Sequence, residues 1–200
     1  MLWSATQTRV ASLCGQRGRY EAAKKVWFCQ TQRLKTCDTI TLRGVVDEDF
    51  VNYKKASMFL GTAFCDWKCC REIGIAPSAC QNHQTVTTSK ARAILIKGLC
   101  ERYLQNPITS AVVFGGLEPF LQTEEVLAFV RTLRGMGCED DIVIYTGYEP
   151  DEVRKPLELL RNYPNIVVKF GRYRPNSDGV FDPILGVHLA SSNQHAEKIS

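Results

Sequence analysis

The chain has no apolar run long enough to span a bilayer, which takes about 20 consecutive, mostly apolar residues, so no transmembrane helix is expected in its 200 residues. No secretory leader is expected either, since the first residues show neither a continuous apolar core nor an A-x-A-like cleavage site. Without a route to an oxidising compartment a disulfide framework is not expected, and the chain reads as cytoplasmic. Acidic residues are scarce in one region. Residues 1–37 hold seven Lys/Arg against the single Glu21, a net +6, which leaves −2 for the remainder of a chain whose total is +4. The basic balance therefore belongs to the N-terminal segment, and no nucleic-acid partner is expected for the rest. Internal repeats and low-complexity tracts are missing too. The length suffices for one domain with a real core.

Cysteine is abundant: there are nine. An odd number fits pairwise bridging poorly, and clustered cysteines outside an oxidising compartment read as metal ligands or redox groups. Four of them, Cys65, Cys69, Cys70 and Cys80, fall in the stretch "CDWKCCREIGIAPSAC". Soft thiolates at such spacing select zinc, copper(I) or iron–sulfur clusters. A structural zinc site usually takes four ligands as two short pairs. Here there is one C-x3-C pair, one adjacent cysteine and a distant Cys80, with His83 as the nearby fourth donor. A cubane held by three cysteines leaves one iron open, and Cys65, Cys69 and Cys80 can supply those ligands from one loop. Cys70 is the other candidate for the third ligand, a spare or a packing residue; Cys80 is preferred because Cys70 adjoins Cys69 and would be strained to reach a different iron. Cys100 and Cys138 fall at helical or helix-end positions and read as packing residues.

From residue 39 the pattern becomes orderly. Strands are expected at Thr39–Val45, Ser57–Phe64, Ser110–Gly116, Asp141–Gly147, Asn165–Gly171 and Pro183–Ala190. Helices are expected at Ser89–Asn106 with Ser89 as N-cap, at Thr123–Gly137 capped by Thr123, and at Asp151–Pro164, where Pro156 must start or kink the helix. Residues 18–35 could form a helix, but their apolar residues define no single face. This order argues for an α/β domain over residues 39–200, with a mainly parallel sheet, preceded by a basic extension over residues 1–38. Such sheets bind ligands beyond the C-terminal ends of their strands. The unusual residues cluster there: the cysteines, then "GGLEP", "TGY" and "GRYRPN". Glycines at a strand end let a ligand approach the backbone, and Glu118 can accept a hydrogen bond from an ammonium group. Arg172 and Arg174 read as a solvated basic loop, with contact to a carboxylate or a partner as the alternative; Asn193 and Gln194 read as solvated polar residues, with donation to a bound carboxylate or ribose as the alternative; and His188 reads as a core residue.

The cysteine loop and "VVFGGLEPF" together resemble the radical S-adenosylmethionine superfamily, whose members carry three cluster cysteines after the first core strand and a glycine-rich motif with an acid after the second. "IVIYTGY", "GRYRPN" and "LGVHLASSNQ" resemble the activating proteins of anaerobic ribonucleotide reductase, and the likeness runs over residues 39–200. The resemblance implies a partial (βα) barrel. It implies a 4Fe-4S cluster on Cys65, Cys69 and Cys80, and S-adenosylmethionine held by Gly115, Gly116 and Glu118, with Thr146 and Tyr148 lining its site. It further implies a glycyl-radical enzyme as protein partner and an electron donor such as flavodoxin. The chain departs from the group in three ways: position 72 is Glu where the common C-x3-C-x2-C spacing has cysteine, Leu117 is inserted before the acid, and Trp67 must stand in for the aromatic near the adenine. Two other readings remain at this point: a radical enzyme acting on a small molecule, and a non-catalytic zinc or iron–sulfur interaction module.

Overall fold

The computed structural model describes residues 37–200; the N-terminal basic segment, with its candidate helix, lies outside the described residues. The strands are β1 (Thr39–Asp49), β2 (Ser57–Thr62), β3 (Arg92–Leu95), β4 (Ala111–Gly115), β5 (Asp141–Tyr145), β6 (Ile166–Phe170), β7 (Val180–Asp182), β8 (Val187–Leu189) and β9 (His195–Lys198). The α-helices are α1 (Lys68–Glu72), α2 (His83–Thr88), α3 (Ile96–Gln105), α4 (Thr123–Gly135) and α5 (Arg154–Leu160).

Seven strands form one sheet in the order β3-β1-β2-β4-β5-β6-β9. Its centre, β2-β4-β5-β6, is parallel, and β1, β3 and β9 pair antiparallel at its flanks. Helices α3, α4 and α5 make the crossovers that parallel strands require. This is the mixed α/β, mainly parallel architecture read from the sequence, and it is consistent with a partial barrel.

The four parallel strands are buried on both faces, and their two faces differ. Met58, Leu60, Phe114, Ile144, Val168 and Phe170 point toward the helices and join the main core. Helix α4 meets them with Val126, Phe129, Val130 and Leu133, at i, i+3, i+4 and i+7 along a single side. On the opposite face Phe59, Val113, Val143 and Val167 lie side by side across the sheet. There a smaller cluster is closed by Leu185 and Leu189 of the β7–β8 hairpin.

Three expectations need correction. The helix expected from Ser89 begins only at Ile96, because Arg92–Leu95 is taken by the sheet and pairs with Thr39–Leu42. Tertiary pairing overrides the helical preference of "KARA", and Ser89 instead ends α2, its N–H donating to the Thr85 carbonyl. The residue preceding α4 is Gln122, and Thr123 Oγ1 donates backwards to the Phe120 carbonyl. The single strand expected at Pro183–Ala190 is the second half of a hairpin, whose turn is held by Asp182 accepting from the N–H groups of Ile184 and Leu185. His188 therefore lies exposed against Phe181 and not in the core, its ring centroid 5.3 Å from the Phe181 ring. Pro156 falls in the first turn of α5, where its missing N–H has no intrahelical partner to lose. Among the described residues no helix is long and apolar enough to cross a membrane.

Candidate functional site

At the C-terminal ends of the parallel strands the inner face changes character. Beyond the row of Phe59 and three valines come Gly61, Gly115, Tyr145 and Lys169. A side chain at Gly115 would meet Phe59 at 3.0 Å, so the floor there is bare backbone. Above it opens a cavity of about 470 Å³, within the ordinary size range of small-molecule sites. Cys65, Cys69, Cys80, Gly115, Gly116, Glu118 and Thr146 all line it. Of the residues singled out from the sequence, Tyr148 stands apart. It lines a neighbouring groove with Asp66, Lys68 and Glu152, and its ring lies 5.5 Å from the Lys68 ammonium.

The cysteine loop is held by the sheet, not by its own structure. Arg43 on β1 donates to the carbonyls of Ala63, Val86 and Ser89, and so closes both ends of the loop. The Ala63 N–H donates to Gln122 Oε1, and the Glu118 N–H to the Phe64 carbonyl. Trp67, at φ 58°, turns the chain left-handed into α1, and its ring faces His83 at 5.7 Å. Cys70 is buried at 2 % exposure and does not line the cavity, although its thiol lies near enough to Cys80 and Cys69 for both, after burial itself, to raise it. Burial pushes the Cys65 thiol up to about 12, and burial raises Cys69 as well, opposed by the Tyr173 N–H and the Arg172 guanidinium. Metal ligation therefore has to displace protons from both.

Glu118 is 5 % exposed. Its Oε1 accepts from Phe120 N at 3.0 Å and Thr146 Oγ1 at 2.7 Å, and its Oε2 accepts from Gly147 N at 2.8 Å. Burial raises its carboxyl, and these three donors work against that rise. The carboxylate thus bridges the ends of β4 and β5. It retains acceptor capacity, since two oxygens offer about four lone-pair sites.

Sequence reasoning missed or misjudged four residues. Lys169, read only as part of a strand, points into the cavity at 6 % exposure. Its ammonium donates to the carbonyls of Thr146 and Gly171, and no carboxylate pairs with it among the described residues. Burial lowers it to about 8. The signal was present: a lysine inside "IVVKF", where every neighbour is apolar, is a charge a folded chain buries only for a reason. Gln194, read as solvated, is buried at the cavity wall and donates to the Gly171 carbonyl. Asn193 donates to the Arg172 carbonyl. Arg172 is not a solvated loop residue, because it is buried among two carboxylates.

The donor set suits a cubane better than a single ion. Tetrahedral zinc gathers its ligands at about 2.3 Å from one point, and among the described residues no three His, Cys, Asp or Glu are so gathered. A cubane presents its irons at separate corners, so its cysteines must surround a cavity, as Cys65, Cys69 and Cys80 do. No curated protein and no solved structure matches the chain. The profile of the 4Fe-4S single cluster domain family matches residues 59–183, from β2 through the cysteine loop and the parallel strands to the β7–β8 turn. The match covers more than half of the chain, and the protein belongs to this family, a cluster-binding domain of the radical S-adenosylmethionine type.

Proposed function

We propose that the protein is a radical S-adenosylmethionine enzyme that activates a glycyl-radical enzyme of the anaerobic ribonucleotide reductase kind. The observation that carries this reading is the meeting of three thiols and one buried carboxylate in a single cavity at the strand ends. A 4Fe-4S cluster held there would offer an iron for the cofactor and one electron for its sulfonium, the chemistry that splits S-adenosylmethionine into methionine and a deoxyadenosyl radical. The residues do the rest. Cys65, Cys69 and Cys80 hold the cluster. Glu118 uses its remaining acceptor capacity for the amino group of the methionine portion. The backbone at Gly115 and Gly116 lets that portion lie against the sheet, and Gly116, at φ 84°, adopts a conformation that few other residues tolerate. Lys169 supplies the positive charge for the carboxylate end, and Thr146 fixes the Glu118 carboxylate in place.

A protein substrate is favoured over a small one by the rim. Val51, which lines the cavity mouth, is 72 % exposed, and its neighbour Phe50 is 65 % exposed. Apolar groups so placed are what a docking macromolecule covers. The electron donor would be a flavodoxin-like protein.

The test is electron paramagnetic resonance on anaerobically reconstituted, reduced protein. A cubane signal that changes on adding S-adenosylmethionine is expected. A cubane signal that the cofactor leaves untouched overturns the enzymatic reading and leaves a cluster-binding interaction module. Turnover stimulated by a metabolite and not by a glycyl-radical enzyme would replace the protein substrate with a small one.

A further inference from the structure

Arg172 leaves the end of β6 with its side chain 8 % exposed. Its Nε donates to Glu72 Oε2 at 2.9 Å and its Nη2 to Glu72 Oε1 at 3.0 Å, a two-pronged charge-assisted contact. Nη2 also reaches a Glu152 carboxylate oxygen at 2.7 Å, and Nη1 donates to the Gly147 carbonyl. The guanidinium lies 5.4 Å from the centre of the Tyr148 ring. Four donated bonds from one side chain therefore join α1, the turn after β5 and the 3-10 turn Pro150–Glu152.

This matters because Glu72 is the last residue of α1, the helix that carries Cys69. Five residues without a side-chain N-cap do not hold themselves helical, so the position of α1 is imposed from outside. The Gly147 turn lies against the same cysteine: a Cβ there would meet Cys69 Sγ at 3.0 Å. Arg172 thus grips both the helix bearing Cys69 and the turn packed on its sulfur.

We propose that Arg172 is a positioning residue for the iron–sulfur cluster, fixing Cys69 through Glu72 and setting the charge beside it, so that it governs how tightly iron is held and how readily the cluster is reduced. The inference rests on the assignment of Cys65, Cys69 and Cys80 as ligands. Reduction adds one electron, and a nearby fixed cation favours the reduced form. Near Cys69 stand Arg172, Lys169 and Lys68 against Glu118, Glu72 and Glu152, a balanced set of charges. Deleting the arginine charge leaves an excess of carboxylate, whereas neutralising Glu72 leaves an excess of cation. Both changes break the same contact but alter the charge in opposite senses.

The experiment compares full-length reconstituted wild type, Arg172→Gln, Arg172→Lys, Glu72→Gln and Cys69→Ala by iron release to a chelator and by redox titration of the cluster signal. Arg172→Gln and Glu72→Gln are each expected to release iron about tenfold faster, the low end of what disturbed outer-shell contacts do. Their midpoint potentials should move apart, Arg172→Gln to more negative and Glu72→Gln to more positive values. Arg172→Lys should release iron as fast as Arg172→Gln while keeping a near-wild-type potential. Potentials that move the same way, or iron release unchanged in the two glutamine variants, overturn the proposal. If Arg172→Gln does not fold, the Glu72→Gln and Arg172→Lys pair decides by the same criteria. Full iron content in Cys69→Ala would instead refute the ligand assignment, while cluster loss in Cys69→Ala beside unaltered Arg172 and Glu72 variants would refute only the role of Arg172.

Discussion

The two faces of the parallel sheet are built from alternate residues of the same four strands and do opposite things. On the helix side Leu60, Phe114, Ile144 and Phe170 present volume, and α3, α4 and α5 close over them. On the inner side, along the strand direction, Phe59 and Val113 give way to Gly61 and Gly115, and Val143 and Val167 to the polar Tyr145 and Lys169, and a short hairpin gives the cover. One face uses its period-two positions for burial, the other for leaving room. Stability and chemistry are thus assigned to opposite sides of the same backbone, and substitutions on the two sides should be separable.

The sharpest way to break that separation is to exchange the consequences. Leu133→Ala, fully buried on the helix side, should destabilise the protein by about 2–5 kcal/mol in urea unfolding and leave iron per folded molecule unchanged. Cys69→Ala should do the reverse: iron and sulfide fall to background, while the cluster-free protein unfolds within about 0.5 kcal/mol of the cluster-free wild type. Iron loss in Leu133→Ala at full folding would mean that the two faces are coupled.

Next in size is Glu118→Gln. The amide keeps the shape but turns one oxygen into a donor, which then faces either the Gly147 N–H or the Phe120 N–H and Thr146 hydroxyl. It also removes the charge that would meet an ammonium group. Calorimetric affinity for S-adenosylmethionine should fall at least about tenfold, in line with about 1.5–3 kcal/mol for a charged hydrogen bond, with the cluster retained. Unchanged affinity would reduce Glu118 to its role as a bridge between β4 and β5.

How much of this could be read in the chain follows from range. The strands "AVVFG", "DIVIY" and "IVVKF" declare themselves locally, because burial on both faces leaves a near-continuous apolar run. The cysteine loop and "GGLEP" were legible for a similar reason, since thiols and glycines at strand ends have few other uses. What escaped depends on distant partners. Strand β3 exists because β1 offers an edge, and "HAEK" becomes β9 only because β6 has an open side. Arg172 looks like any loop arginine until Glu72, 100 residues away in sequence, folds beneath it.

Lys169 sharpens the comparison further, because it places a cost of function inside the sheet. Its folded-state value near 8 lies below the ordinary 10.5, so between these values the unfolded chain binds more protons and stability rises with pH. Below about pH 8 the full penalty applies, of the order of 3 kcal/mol at 1.36 kcal/mol per unit. Cluster-free Lys169→Met should therefore be the more stable protein at pH 7, and its advantage should shrink as the pH rises from about 8 toward 10.5. The same variant, reconstituted, should bind S-adenosylmethionine more weakly. A stability difference that does not depend on pH would remove the buried charge from the explanation.

The smallest expected effect tests where the inner-face loop ends and the helical layer begins. If Ser89 capped a long helix through residue 106, removing its hydroxyl would cost about 1 kcal/mol. In the structure it caps nothing at that helix, whose first residue is Ile96. Its hydroxyl donates to the Thr85 carbonyl at the end of α2, and its own carbonyl accepts from Arg43, a contact that alanine preserves. Ser89→Ala should thus change stability by less than about 0.5 kcal/mol. Arg43→Ala should act differently, because three carbonyls at the two ends of the cysteine loop lose their donor together. Iron content, more than unfolding midpoint, should report that loss, since the loop belongs to the chemical face and the helices hold without it.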